Sequence, residues 1–208
     1  MNFIKYAFKM ANVQRFAGSN LDAEYSIGEH SYRVALISMA ICDEYNKKNK
    51  KKINMEEVLK KSLIHDMEET ITGDLPSPVK RLGNLREELR NAGSFLMKNE
   101  ILKDSPSPDE YLKLWEEDKD NESGEVIKIA DKLEGMLASY YEIKRGNHYL
   151  KESFLSHLDW FISKEGEKLL KKFHYGKDIY KDVVDGLSSF HNTDKKFFQK
   201  LKKYQIQY

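Results

Sequence analysis

The 208-residue sequence predicts an all-α protein. Apolar residues recur at helical spacing in nearly every segment, no segment shows the sustained alternation of a strand, and helix start and stop signals separate the segments. The length is sufficient for one well-buried domain. We therefore expect a single helical bundle over residues 1–208, with a catalytic core at about 1–150 and C-terminal helices at about 150–208 packed on it.

The first two predicted helices are recognised by their apolar faces. One face of the first helix contains Phe3, Tyr6, Ala7, Met10 and Val13. The second helix begins near Glu29 and ends in the lysine-rich segment 46–52. Its inner face aligns His30, Val34, Ile37, Ile41 and Tyr45.

The third predicted helix begins with Asn54 as N-cap and Glu57 at position N3, as in a capping box. Its buried face is expected to include Leu63, and the helix is expected to continue through His65 and Asp66. Gly73 and Pro76 end it, because glycine and proline interrupt helices.

The remaining helices are predicted from the same signals. One helix is predicted over about 80–103, although the glycines at 83 and 93 disfavour a continuous helix. The next begins with Ser107 as N-cap, Pro108 at N1 and Glu110 completing a capping box. After a polar break at 118–123, the helix that carries Asp131 runs to about residue 144. Helical patterns then cover 150–173 and 179–187, and a last helix is capped near residue 192 or 193. This last helix carries a basic stripe of Lys195, Lys196, Lys200, Lys202 and Lys203. We expect the stripe to be the solvated face of an amphipathic capping helix, with binding of an anionic partner as the alternative.

Amino-acid composition argues against several classes of function. Charged residues make up 33% of the chain but nearly cancel to +1, which gives no electrostatic case for nucleic acid or a membrane surface. The longest apolar run, residues 34–42, is far shorter than the roughly 18 residues of a membrane span. Cys42, the only cysteine, excludes an internal disulfide and is expected to be a small buried hydrophobe. With no signal-peptide core in the first residues, we expect a cytoplasmic protein.

Two histidines and two aspartates form a candidate metal site: His30, the adjacent pair His65 and Asp66, and Asp131. Imidazole and carboxylate together suit a divalent transition metal, and Co, Mn, Zn, Fe, Ni and Mg all stay open. Any one such histidine is more often an ordinary hydrogen-bonded residue than a ligand. The combination is stronger evidence, because Asp131 follows an apolar stretch and a buried carboxylate needs a partner.

At these residues the chain resembles the HD-domain metal-dependent phosphohydrolases, and within them the bacterial 5′-deoxynucleotidases. The resemblance covers roughly residues 1–150 in family order. It is most specific at Thr-Gly-Asp-Leu-Pro-Ser-Pro-Val-Lys, residues 72–80. The other matching segments are Val-Gln-Arg-Phe (13–16), Glu-His-Ser (29–31), His-Asp-Met-Glu-Glu (65–69) and Ala-Asp-Lys-Leu-Glu (130–134).

The resemblance implies a role for each matching residue. His30, His65, Asp66 and Asp131 would bind the metal, with His30 and Asp131 also lining the substrate site and Asp66 counted among the catalytic groups. Glu69, four residues after His65 on the same helix face, would orient or deprotonate the attacking water. Neighbouring Glu68 is interpreted as a surface glutamate.

The resemblance also implies a nucleotide site. Arg15 would orient the phosphate, since a guanidinium donates two parallel hydrogen bonds. Phe16 stands where well-known relatives have a tryptophan that packs on the sugar, which puts sugar selectivity in doubt. The loop of Asp74, Leu75, Pro76 and Ser77 would hold the sugar, with Asp74 accepting from a 3′-hydroxyl. Ser77 replaces the threonine common in relatives. His148, His157, His174 and His191 lie outside the matching segments and are expected on faces or turns.

The implied function is a homodimeric phosphomonoesterase that converts nucleoside 5′-monophosphates, chiefly deoxyribonucleotides, to nucleoside and phosphate without a covalent intermediate. Another HD phosphohydrolase activity, on a triphosphate, a cyclic nucleotide or an alarmone, stays open. Alarmone hydrolases of this type carry Glu-Asp where this chain has Glu69 and Thr70. A non-catalytic nucleotide or metal sensor is the alternative from another class.

Overall fold

The computed structural model describes residues 2–22, 24–117, 121–187 and 195–205. In these ranges the only β-pairing is an isolated bridge between Gln14 and Ser26, and the all-α prediction is confirmed. The helices are α1 (Asn2–Lys9), α2 (Ile27–Lys48), α3 (Met55–Ile64), α4 (Glu69–Thr72), α5 (Ser77–Lys80), α6 (Leu85–Leu96), α7 (Pro108–Glu116), α8 (Glu122–Lys144), α9 (Lys151–Phe161), α10 (Lys164–Lys172), α11 (His174–Asp185) and α12 (Lys195–Gln205). A 3₁₀-helix (Met10–Asn12) follows α1, and a π-helix (Met97–Ile101) follows α6.

The larger hydrophobic core surrounds α8, which packs against α2, α3 and α9. A smaller core joins the N-terminal segment to the turn after α3 and to the π-helix, with Met10, Ile27, Met67 and Met97 in contact. Together the two cores fix α2, α3 and α8 relative to one another. None of the helices in the described ranges is both long and apolar enough to cross a membrane.

Helix α2 begins at Ile27, two residues earlier than predicted, because Ser26 caps it. The Ser26 side chain accepts from the Glu29 backbone N–H at 3.2 Å, and the Glu29 carboxylate accepts from the Ser26 N–H at 3.1 Å. This is a complete capping box. Immediately before it, the Arg15 N–H donates to the Tyr25 carbonyl at 2.7 Å. The pairing therefore brings Arg15 beside the first turn of α2, where His30 lies.

Asn54 caps α3 as predicted, by accepting from the backbone of Glu56 and Glu57. The second half of the predicted capping box is wrong, since the Glu57 side chain pairs with Ser123 and Lys61. Burial of Leu63 is also wrong. Its side chain is 50% exposed, and Ile64 is buried in its place.

The helix predicted to carry the His-Asp pair ends before that pair. Helix α3 stops at Ile64, and residues 65–68 form a turn before α4. In this turn Met67 bonds back to Ile64 and Glu69 to Asp66, three residues apart instead of four. Such tightening aligns residues i and i+3, so Asp66 and Glu69 share a face and the expected i,i+4 pairing of His65 with Glu69 is wrong. Gly73 then ends α4 at a φ of 77°, a conformation that favours glycine.

Several later boundaries also differ from the sequence prediction. The helix expected over 80–103 is divided into α5, α6 and the π-helix. Ser107 makes no capping bond, although Pro108 does open α7. The segment expected over 150–173 is broken at 162–163, where the Ser163 side chain accepts from the Gly166 N–H and starts α10. Helix α11 begins at His174, five residues early. Helix α8 begins at Glu122 after the cap Asn121, while residues 118–120 of the predicted break lie outside the described ranges.

Helix α12 packs against α9 and α11. Phe197, Leu201 and Tyr204 are buried, and the described lysine side chains of α12 are exposed. Lys200 pairs with Glu152, and Lys203 with Asp159. The prediction of a solvated basic face is therefore confirmed for these side chains. The predicted caps Asn192 and Thr193 lie outside the described residues. Cys42 is buried and unpaired with another cysteine, as predicted.

Candidate metal centre and active site

The four predicted ligands converge on one point from α2, the turn after α3, and α8. The Nε2 atom of His30 lies 3.3 Å from His65 Nε2, 3.4 Å from Asp66 Oδ2 and 3.3 Å from Asp131 Oδ1. His65 Nε2 is 3.3 Å from the same Asp66 oxygen. The adjacent pair therefore approaches the site from two sides, while the other two helices supply one residue each.

These separations match the chemistry of a metal centre. Two ligands that each lie about 2.1 Å from one ion are separated by roughly 3 to 4 Å. Candidate ligand atoms of His30, His65 and Asp131 all lie within 4.8 Å of one another. Two imidazole nitrogens and two carboxylate oxygens suit a divalent transition metal. The residues present therefore fit the metal that the resemblance implies.

Hydrogen bonds fix both imidazole rings with Nε2 facing the centre. His30 Nδ1 lies 2.7 Å from the buried Glu134 carboxylate, and His65 Nδ1 lies 2.8 Å from the Ser62 carbonyl. Each Nδ1 thus donates, and each Nε2 is available to a metal, as is usual for ligating histidines. Glu134 also accepts from the Tyr25 hydroxyl. This role of Glu134, which lies four residues after Ala130 on the same helix, was not predicted from the sequence.

Electrostatics favour a positive charge at this point. Burial and Arg15 lower the pKa of His30, but hydrogen bonds to Asp131, Asp66 and Glu134 raise it to about 10. Burial disfavours the Asp66 carboxylate, yet His65, His30 and Arg15 together hold its pKa well below the ordinary value. The acceptor atoms around His30 therefore favour a positive charge at this point, which either a proton on His30 or a metal ion supplies.

Arg15 lies against the carboxylates of the centre. Its guanidinium nitrogens are 3.5 Å from Asp66, 3.6 Å from Asp74 and 3.6 Å from Asp131. The guanidinium is therefore placed beside the metal ligands, where it can donate paired hydrogen bonds to a phosphate. Its Nε is buried and has no hydrogen-bond partner in the described part of the chain.

Glu69 is buried at the edge of the same cluster, with 3% exposure. One of its oxygens, Oε1, accepts from Lys80 Nζ at 2.8 Å. The other, Oε2, is buried without a hydrogen-bond partner among the described residues. Burial and the charge of Asp66 raise the pKa of Glu69 to about 8, against the lowering effect of Lys80. Lys80 was part of a matching segment, but the sequence did not indicate its contact with Glu69.

The interpretation of Glu68 as a surface glutamate is wrong. Its carboxylate accepts from the Trp115 indole N–H of α7 at 2.9 Å. Burial, Asp66 and Glu69 raise the pKa of Glu68 to about 8. Glu68 therefore anchors the turn to α7, a contact over 47 residues that helical periodicity could not reveal.

The predicted sugar-binding residues are only partly brought together. The Asp74 carboxylate accepts from the Phe16 N–H at 2.9 Å and lies near Arg15. Phe16 has a φ of 56°, rare for a residue with a side chain, and its ring stacks on Tyr25 at 5.8 Å. Leu75 is half-buried, whereas Pro76 and Ser77 are exposed at the start of α5.

Of the histidines set aside, His157 is neither on an open face nor in a turn. Its ring packs from α9 against Gly135 of α8, and its Nδ1 donates to the Ser153 carbonyl at 2.7 Å. Burial and Lys132 lower the pKa of His157 to about 4. His157 is thus a neutral packing residue between two helices.

An all-α fold in which a His-Asp pair meets a histidine and an aspartate from two other helices defines an HD-domain phosphohydrolase. An HD-domain phosphohydrolase from Listeria innocua has the same fold, with a TM-score of 0.78, 97% of each chain covered and 23% identity. The family model described as 5′-deoxynucleotidase YfbR-like matches residues 2–165. The chain belongs to this family, and the resemblance found in the sequence is confirmed.

Named relatives agree with this assignment. The chain is 27% identical over 173 residues to 4′-phosphooxetanocin A phosphatase of Priestia megaterium, covering 83% of this chain and 86% of the relative. It is 28% identical over 159 residues to a 5′-deoxynucleotidase of Vibrio atlanticus, covering 73% of this chain and 80% of the relative. Both names describe enzymes that act on phosphate esters.

Proposed function

We propose that this protein hydrolyses nucleoside 5′-monophosphates, chiefly deoxyribonucleotides, to nucleoside and phosphate. The observation that carries the proposal is the convergence of four ligand atoms beside Arg15 and buried Glu69. The family and the names of the relatives support the same substrate class. A site that combines a cation centre, a guanidinium and a buried carboxylate suits phosphate ester hydrolysis.

His30, His65, Asp66 and Asp131 would hold one divalent transition metal. When bound, such an ion polarises a phosphoryl group and lowers the pKa of water. Among the candidate ions, the ligand types alone do not select one. The protein's own groups do the rest of the chemistry.

Arg15 would bind two phosphate oxygens and hold the phosphorus in line with the attacking water. Its contacts to Asp66, Asp74 and Asp131 preset the guanidinium before substrate arrives. Glu69 would accept the water proton on Oε2. The water oxygen would then bond to phosphorus as the ester P–O bond breaks, with the bonding electron pair staying on the 5′-oxygen. That oxygen would take the proton from Glu69 and leave as the nucleoside hydroxyl, which returns Glu69 to its ionised form.

Asp74 would accept a hydrogen bond from the sugar 3′-hydroxyl. The Asp74 carboxylate also accepts a hydrogen bond from the Phe16 backbone N–H, which links the position of Phe16 to that of the sugar site. Phe16 would contact the sugar with its ring, and Leu75, Pro76 and Ser77 would complete the loop beside it. Phenylalanine lacks the indole N–H of the family tryptophan, which leaves deoxyribose selection to be measured.

Glu134 is expected to strengthen metal binding through His30. In Glu134→Ala the His30 Nδ1 loses its acceptor, and metal affinity should fall by about 10- to 100-fold, as for other partners of ligating histidines. Isothermal titration with Co or Mn measures this change. The control is Glu125→Ala, a buried glutamate of α8 that pairs with Lys168 and Lys172. Equal affinity in Glu134→Ala and the wild type would contradict the role.

The function is tested by phosphate release from matched deoxy- and ribonucleoside 5′-monophosphates in the presence of Mn, Co, Zn or Mg. We expect turnover with at least one metal and higher kcat/KM for the deoxyribonucleotides. Nucleoside triphosphates, a cyclic nucleotide and an alarmone form the comparison panel. Nucleotide binding without turnover under every metal would instead favour a sensor.

The homodimer, the cytoplasmic location and the identity of the metal stay predictions. Analytical ultracentrifugation of the purified protein measures the first of these, and metal analysis after expression measures the last. The extent of the domain, residues 1–208, is a further proposal, supported by the packing of α9, α10 and α11 on α8 or α2. Limited proteolysis followed by mass analysis tests it.

A further inference from the structure

Lys80 is the last residue of α5, and its ammonium group reaches back to the buried end of the active site. Its Nζ lies 2.8 Å from Glu69 Oε1 and 3.9 Å from Asp74 Oδ1. The Lys80 side chain is about one third exposed, while that of Glu69 is 4% exposed. A largely desolvated carboxylate is thus held by a cation that reaches it from the surface.

The two oxygens of Glu69 have unequal surroundings. Oε1 is occupied by Lys80, whereas Oε2 is buried with no hydrogen-bond partner in the described ranges. A buried carboxylate without a partner is costly and tends to rotate or take up a proton. Asp66 and Asp74 add to that tendency, because their negative charges also disfavour ionised Glu69. Lys80 opposes all of these effects by direct contact.

We propose that Lys80 is a positioning residue that holds Glu69 by one oxygen, so that the other oxygen is directed to the attacking water. The inference rests on the proposed function, since it assigns Lys80 to the same reaction. Lys80 acts through Glu69 and need not touch the substrate. The segment that carries it, α5, therefore contributes to catalysis as well as to the sugar-binding loop.

A different use of the same ammonium group would be direct binding of the substrate phosphate. That role predicts a higher KM and weaker inhibition by inorganic phosphate when Lys80 is replaced. Positioning predicts a lower kcat with KM and phosphate inhibition changed little, because the lost interaction serves the transition state. The nearest contact of Nζ is Glu69, not Arg15 or a metal ligand, which favours positioning.

The test compares Lys80→Met with the wild type on the best nucleoside monophosphate from the panel. Methionine keeps most of the side-chain length but removes the charge and the donor. We expect kcat to fall about 10- to 100-fold, which is less than the full contribution of a general base because Glu69 itself is still present. Metal affinity from calorimetric titration and the melting temperature should be unchanged. The kcat of Lys80→Arg, which keeps a cation near Glu69, should fall less than that of Lys80→Met. Equal decreases in kcat would count against the inference.

A double-mutant comparison decides whether Lys80 acts through Glu69. In a Glu69→Gln background, adding Lys80→Met should lower kcat no further, because the group that Lys80 positions is already inactive. Additive losses would overturn the inference. The matched control is Lys60→Met, a lysine of α3 that pairs with Glu56 and Glu110 on the surface. If the wild type releases no phosphate, the proposed function fails. If the wild type releases phosphate and Lys80→Met has the same kcat as the wild type, the positioning role fails and the proposed function stands.

Discussion

Glu69→Gln is expected to lower kcat for nucleoside monophosphates by about 100- to 10,000-fold, the usual contribution of a general base. Glutamine has nearly the same shape but cannot accept a proton at Oε2. Metal affinity should stay at the wild-type value, because Glu69 is not among the four converging ligands. Steady-state phosphate release and calorimetric metal titration on the same preparation measure both quantities.

Glu68→Gln provides the control for this variant. Glu68 is the neighbouring carboxylate and carries the same substitution, but it faces Trp115 of α7 and not the centre. Its kcat should stay within a few-fold of the wild type. Comparable losses in both variants would point to a general disturbance of the turn and would remove Glu69 from the mechanism.

The pH profile gives a second measure of Glu69. Burial and Asp66 raise its pKa to about 8 without a metal, and a bound cation opposes that shift because it favours the carboxylate. The base must be ionised to act, so kcat should fall as the pH drops through a pKa at or below 8. In Glu69→Gln this acid limb should disappear.

Loss of the metal is expected to abolish turnover. Chelation with EDTA should remove activity, and added Mn or Co should restore it. Asp131→Asn should weaken metal binding by more than about 100-fold, since even the outer partners of ligands contribute about 10- to 100-fold. The reason is geometric, as Asp131 Oδ1 faces His30 Nε2 at 3.3 Å and asparagine replaces the carboxylate with a neutral group.

Asp159→Asn is the control for the metal experiment. Asp159 lies on α9, where its exposed carboxylate pairs with Lys203 and accepts a hydrogen bond from the hydroxyl of buried Tyr204, and it is not among the residues of the centre. Its metal content and kcat should equal those of the wild type. Retention of full metal content and activity in Asp131→Asn would contradict the four-ligand centre.

The sequence predicted the four converging residues because each belongs to a recognisable segment and the residue types suit one metal. It placed His65 and Asp66 inside a helix and paired His65 with Glu69, which is wrong. Periodicity assumes a constant rotation per residue, and the bonds of the turn at 65–68 change that rotation locally. The family resemblance identified Glu69 as a candidate catalytic residue. The tightened turn places Glu69 on the same face as Asp66.

The residues that sequence reasoning missed act across large separations in the chain. Glu134 contacts His30 over 104 residues, and Trp115 contacts Glu68 over 47. The assignment of Glu68 to the surface followed from its charge, which is normally a sound guide. In this structure Glu68 is instead half-buried and hydrogen-bonded to Trp115. Lys80 lay in a matching segment, but only the return of α5 toward α4 placed its ammonium group on Glu69.

The helical class, the amphipathic faces and the set of groups able to bind a metal could all be predicted from the sequence, because these depend on residue type and local spacing. The tertiary structure decided which oxygen of Glu69 is held, which imidazole nitrogen faces the centre and which acidic residues are buried. Those outcomes depend on contacts between helices that are distant in the chain. Such contacts are fixed by packing of the whole core, which local patterns do not specify.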